Sequence, residues 1–304
     1  MQITNFTNYK FNRMRNFVLE KGITHTECQL FFVPAKEKWD KTMKLFKKYY
    51  LNSGEYFGHK LLTINTLINN RDVINLEELV FPEQLVSINE EVYGYLMPYV
   101  ESTNLGIILK NIDVPVSKKI ELLTKVGEII QKVANVNAHI NINNFYLSDI
   151  NENNFVVDAT DNVFAVDLDS CRIGDGNLPS PSRYLQSVGN KTACKFTKYK
   201  RGANGIFLAN SNSEIMCYTI MILNTIGNGQ ICGLKIEDFY YYLEYLKIIG
   251  FNYELLDCFA TIYTNQDNKN PLEYLESIPN ELGRADLKVF MHLRDKHTKK
   301  TKIS

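Results

Sequence analysis

Apolar residues alternate with polar ones along the first third of the chain and recur at helical spacing over most of the rest. "CQLFFV" (28–33) and "KTMKLF" (41–46) put apolar, aromatic or β-branched residues at alternate places and predict strands. In "EYFGHKLLTINTLINN" (55–70), Phe57, Leu61, Ile64 and Ile68 return at spacings of four, three and four, which predicts an amphipathic helix. "QLVSI" (84–88) and "VYGYLMPYV" (92–100) predict two more strands, joined by the polar turn "NEE". Beyond Val100 the pattern turns helical. "SKKIELLTKVGEIIQKVANV" (117–136) opens on an arrangement close to a capping box and carries the stripe Ile120, Leu123, Gly127, Ile130, Val133. "SEIMCYTIMILNTI" (213–226) is apolar nearly all round, the mark of a buried helix. "IEDFYYYLEYLKIIG" and "NYELLDCFATIYT" predict two further helices. The fold class is α+β, with a small β-rich part over residues 1–97 and a larger, mostly helical part over 98–304.

Composition narrows the function. Lys plus Arg and Asp plus Glu are 34 each, so net charge draws the chain neither to nucleic acid nor to an anionic membrane. The basic runs "KLFKK" (44–48) and "RDKHTKKTKIS" (294–304) are expected to be solvated surface. The cysteines, 28, 171, 194, 217, 232 and 258, form no C-x-x-C pair, which argues against a zinc site or disulfide framework and for reduced thiols in a cytoplasmic protein. The N-terminus has no apolar core of signal-peptide type, and no window approaches 18 apolar residues, so no membrane span is expected. The histidines, 25, 59, 139, 292 and 297, show no metal-ligand spacing. Cys171 is read as a small core residue, and the aromatic run 239–246 as core packing.

The chemistry lies in "SDINENNFVVDATDNVFAVDLDS" (148–170). "NFVVD" and "VFAVD" are apolar-rich strands separated by the turn formers "ATDN". A hairpin centred between Thr160 and Asp161 pairs residues whose numbers sum to 321, setting Asn154 opposite Asp167, with Asp149 a short loop away. An amide and a carboxylate on adjacent strands suit Mg²⁺, a hard cation that takes one or two protein oxygens beside phosphate oxygens and water. A second carboxylate nearby can orient an attacking hydroxyl and accept its proton.

On these residues the chain resembles the protein-kinase-like superfamily. "DINENN" matches the catalytic-loop pattern D-x-x-x-x-N, and "DLD" stands where the family has the metal-binding Asp of D-F-G. The resemblance implies a bilobal fold, with ATP and Mg²⁺ as cofactors. It implies Asp149 as catalytic base, Asn154 and Asp167 as metal ligands, and a protein hydroxyl as phosphate acceptor. "YLMPYVESTNL" resembles the adenine-binding segment between the lobes. Met97 would be the gatekeeper, the Pro98 carbonyl would accept from the adenine amino group, and the Val100 N–H would donate to a ring nitrogen. "KTMKLF" resembles the strand with the phosphate-pairing lysine, which would be Lys44, although Lys41, Lys47 and Lys48 lie close by. The next helix should carry its glutamate partner; Glu55 lies in the first turn, the central position holds Lys60, and no pair is assigned. Glu214 stands where the family has an Asp that ties down the catalytic loop.

The departures are specific. Leu147-Ser148 replaces His-Arg before the catalytic Asp, Asn151 replaces a common lysine, and Asp169 replaces the Gly of D-F-G. Only Gly22 precedes Lys44, so there is no glycine-rich loop. Three readings follow: a protein kinase, a small-molecule kinase like the related antibiotic and choline kinases, or a pseudokinase that binds nucleotide or a partner. Transfer of the nucleotide monophosphate is a further variant of the first.

Overall fold

Both faces of the alternating strands are buried, because the chain covers the sheet on two sides. The computed structural model describes residues 3–17, 27–33, 43–139, 144–174, 184, 209–226, 236–263 and 269–280. The first sheet has six strands: β1 (Ile3–Phe6), β2 (Arg15–Asn16), β3 (Cys28–Val33), β4 (Lys44–Tyr49), β5 (Gln84–Ile88) and β6 (Glu91–Pro98). Their order is β1-β5-β6-β4-β3-β2, and only β1 with β5 is parallel. On one face Leu30, Phe32, Leu45, Tyr49, Leu85 and Met97 meet Phe57 and Ile64 of helix α2 (Gly54–Ile74). On the other, Phe31, Phe46, Val86 and Leu96 pack under Phe6 and Met14. Residues 3–16 thus cross that outer face from edge to edge, through the short helix α1 (Asn8–Phe11).

The strand expected over 41–46 runs instead from Lys44 to Tyr49, because pairing with β3 and β6 sets its limits. One consequence is that "KLFKK" is not all solvated surface, since Lys47 is buried. The turn between β5 and β6 falls at Asn89 and Glu90, both with positive φ (50° and 74°), as a two-residue hairpin loop requires. Gly94 lets β6 approach β4: a Cβ there would stand 1.8 Å from the Lys47 carbonyl oxygen.

The helical part contains α3 (Leu105–Lys110), α4 (Val116–His139), α5 (Ser211–Thr225), α6 (Ile236–Ile248) and α7 (Tyr253–Tyr263). From Met216 to Leu223 every residue of α5 is buried, which explains its unbroken apolar sequence. The predicted stripe of α4 faces the same core, and Gly127 makes room for the Tyr218 hydroxyl, which donates to the Leu123 carbonyl at 2.7 Å. In the aromatic run, Phe239, Tyr242 and Tyr245 are buried, with Phe239 stacked on Tyr263 at 3.7 Å; this is core packing. Cys28, Cys171, Cys217 and Cys258 are buried and in no disulfide, whereas Cys194, Cys232 and the basic tail lie outside the described residues. Among the described residues no helix is long and apolar enough to cross a membrane. A second sheet, β7 (Ser102–Asn104), β8 (Phe155–Asp158) and β9 (Val163–Ala165), in that order, carries the candidate site.

Candidate functional site

The hairpin of β8 and β9 forms in the expected place but one residue out of the expected register. Phe155 faces Ala165 and Val157 faces Val163, so paired numbers sum to 320 rather than 321. The cause is the loop. Asp158 Oδ1 accepts from the N–H groups of Thr160 and Asn162, and Asp161 takes a positive φ of 65°, which closes a three-residue loop instead of a four-residue one. Asn154 therefore stands opposite Val166, whose N–H donates to its carbonyl at 2.9 Å, and Asp167 comes one residue later. β9 is also joined to the segment after α2: the Ala165 N–H donates to Glu78 and the Val80 N–H to Ala165. That link brings the hairpin beneath the inner face of the six-stranded sheet.

Two residues flanking the site have left-handed backbones without being glycine. Asp167 (φ 65°, ψ 37°) caps a 3-10 turn over Leu168–Ser170, and Ser148 has φ 66°. Such conformations cost about 1 kcal/mol or more each and must be held by their surroundings. Ser148 is held on several sides. Its N–H donates to Glu214 Oε1 at 3.2 Å, alongside that of Leu147, and its Oγ accepts from the Arg172 N–H at 2.9 Å. A bridge between Tyr146 and Arg172 joins the loop before Asp149 to the segment after the turn. Asn154 Nδ2 then donates to the carbonyl and to Oδ2 of Asp149, at 2.8 and 2.9 Å. Asp149 and Asn154 are thus brought into direct contact.

Lys47, rather than Lys44, reaches these carboxylates. Successive side chains of a strand point to opposite faces; Leu45, Lys47 and Tyr49 share the inner face, and Lys44 lies on the other, paired with Glu83 at 2.6 Å. Lys47 Nζ is bonded to Asp167 and, at 2.6 Å, to Asp169. Alternation sets Lys47 on the face of Leu45 and Tyr49, but Phe46 makes the opposite face apolar too, so the sequence carries no signal that singles Lys47 out. Glu55 is exposed and near His59, so it supplies no acid to Lys47. The charged residue of α2 buried at this point is Lys60, bonded to Asp169 Oδ1 at 3.1 Å and to Ser170. Burial alone would lower the pKa of Lys47, but Asp167 and Asp169 outweigh it and hold the ammonium charged.

Met97 is buried among the inner-face residues of the sheet, Pro98 ends β6 opposite Lys44, and Val100 packs against the same cluster as Val166. All three lie where the chain passes from the first sheet to the second. Glu214, in the first turn of α5, is fully enclosed, and burial pushes its pKa to about 8 against the pull of the Ser148 and Leu147 N–H groups. Glu152 is also buried, yet hydrogen bonds from Tyr184 and Lys110 outweigh burial and keep its pKa below the ordinary value.

Among the described residues no three His, Cys, Asp or Glu side chains gather as a metal cage. A hard cation bound through phosphates needs only one or two protein oxygens. The Asn154 amide is oriented by its Nδ2 bonds to Asp149, and Asp167 keeps 39% of its side chain exposed, so the donor set fits Mg²⁺. A cavity of about 320 Å³ opens elsewhere, lined by Glu77, Glu78, Lys125, Glu128 and Lys132, and shares no residue with this set. No protein-family model and no curated protein matches this chain.

Proposed function

We propose that the protein is an ATP- and Mg²⁺-dependent phosphotransferase on a bilobal, protein-kinase-like fold, transferring the γ-phosphoryl group to a protein hydroxyl. The observation that carries the reading is the contact of Lys47 with Asp167, 120 residues apart in sequence, beside the Asn154–Asp149 pair. With Mg²⁺ bound to the carboxylate side, these groups would complement the charge of a triphosphate. Lys47 would neutralise phosphate oxygens, Asn154 and Asp167 would hold Mg²⁺, and Asp149 would orient the acceptor hydroxyl and take its proton. Bound Mg²⁺ would supply charge neutralisation at the β- and γ-phosphates. Met97, Pro98 and Val100 would line the adenine end.

The test is incubation of the protein and its Asp167→Ala variant with Mg²⁺ and ATP labelled separately at the γ- and α-phosphates. Label transferred from the γ-phosphate and lost in the variant is the expected outcome. Label from the α-phosphate alone would mean nucleotide transfer. No labelling, together with no ATP binding by calorimetry with or without Mg²⁺, would end the enzyme reading. A second reading, a pseudokinase that binds nucleotide or a partner, is favoured by one observation: Lys47 is already engaged by two carboxylates. Binding of Mg·ATP without transfer to protein or small-molecule hydroxyls would select it.

A further inference from the structure

The turn after Asp167 carries a carboxylate that phosphotransfer itself does not use. Asp169 has no exposed side-chain surface, yet both its oxygens are taken by donors. Oδ2 accepts from Lys47 Nζ at 2.6 Å and from the Tyr49 hydroxyl, and Oδ1 accepts from Lys60 Nζ at 3.1 Å. Burial alone would raise its pKa; Lys47 and then Lys60 outweigh that and keep it well below the carboxylate range. Lys47 therefore has two acids of different kinds. Asp167 is 39% exposed and open to exchange with a cation, whereas Asp169 is sealed in.

Charge balance explains why the helix brings a lysine here. Lys47 and Lys60 are each about 5% exposed; with Asp167 and Asp169 they balance charge for charge inside the cleft, and the exposed Glu27 lies 3.5 Å from Lys60 at its edge. Without Lys60, one oxygen of a buried carboxylate would lose its cation. Without Asp169, Lys47 would keep only the part-exposed Asp167, and Lys60 only the exposed Glu27, whose Oε2 lies 3.5 Å from its Nζ. Breaking a buried pair on one side is costly, because the remaining charge stays out of water.

We propose that Asp169 is the positioning residue that holds Lys47 in the cleft, with Lys60 of α2 as the counter-charge that ties the helix to the turn. The arrangement reverses the polarity of a helix acid holding a strand lysine: here the acid sits on the turn and the helix carries the cation. A cation that occupies Asp167 removes one partner of Lys47 and leaves the other in place. This consequence for phosphate binding rests on the phosphotransferase reading; the positioning of Lys47 does not.

The test is acylation of the lysines of the native protein, measured at Lys47 by peptide mass spectrometry. Lys44, bonded to Glu83 away from the network, serves as internal reference. In Asp169→Asn, Lys47 should react about tenfold faster or more while Lys44 is unchanged, as expected when a buried ion pair loses its acid. In Asp167→Asn, Lys47 should stay protected to within about twofold, because the sealed partner remains. A folded Asp169→Asn protein with Lys47 still protected would overturn the proposal. So would full exposure of Lys47 in Asp167→Asn, which decides the matter if Asp169→Asn does not fold. Mg·ATP binding to the wild type, followed by calorimetry, separates the two ideas. If the acylation pattern is as expected and no nucleotide binds, the positioning stands and the phosphotransferase reading fails.

Discussion

Glu214→Gln gives a sharp test of how the loop before Asp149 is held. Glu214 Oε1 accepts the N–H groups of Leu147 and Ser148, and Ser148 needs support because of its left-handed backbone. Its other oxygen, Oε2, has no hydrogen-bond partner among the described residues. Those two N–H groups and the first turn of α5 favour the anion, but burial disfavours it more strongly and moves the pKa from 4.5 to about 8. Below pH 4.5 both folded and unfolded chains carry the proton. Between 4.5 and 8 the unfolded chain has lost it and the folded chain keeps it, so stability falls as pH rises. The slope in that window is about 1.4 kcal/mol per pH unit and falls off towards pH 8, giving about 2 kcal/mol between pH 6 and 8. Glutamine reproduces the neutral acid, accepting the same N–H groups without titrating. The stability of Glu214→Gln minus that of wild type should therefore rise by that amount from pH 6 to 8 and then level off. Urea unfolding at a series of pH values measures it. A flat difference, or one that falls as pH rises, would refute the reasoning and show the loop held by an ionised carboxylate.

Three further outcomes are expected, the first two resting on the proposed phosphotransferase reading and the third on geometry alone. Lys47→Met should weaken Mg·ATP binding about tenfold or more, and Lys44→Met should leave it within about twofold, measured by calorimetry; equal losses would remove Lys47 from the site. Asn154→Leu should abolish γ-phosphate transfer without unfolding the β8–β9 hairpin, since the bond joining Asn154 to Val166 is made by its backbone carbonyl. Circular dichroism and the labelling assay together check this. Gly94→Ala should cost about 3 kcal/mol in thermal or urea unfolding, because the new Cβ meets backbone of Lys47 and Lys48 that no rotamer change can move. A cost near zero would mean that β4 and β6 separate freely.

Much of the fold and part of the candidate site's geometry could be read from the chain itself. Local patterns were enough where one element decides the outcome: the period of α2 and α4, the all-apolar α5, the turn at Asn89 and Glu90, and the two strands around "ATDN". Asp149, Asn154 and Asp167 could be picked out because they lie within one short segment, whose folding has few alternatives. The register of that hairpin was not legible, since it turns on how Asp158 bonds its own loop, and one residue of loop length shifts every pair. Nor was the lysine. Which of Lys44, Lys47 and Lys48 turns inward depends on which face of β4 meets α2, and that is set by pairing with β3 and β6 from distant parts of the chain. By local rules Lys60 and Asp169 looked like departures from a pattern. Only the approach of α2 to the turn after Asp167, 109 residues away, makes them a pair, because a buried charge gains its meaning from the partner that tertiary contact supplies.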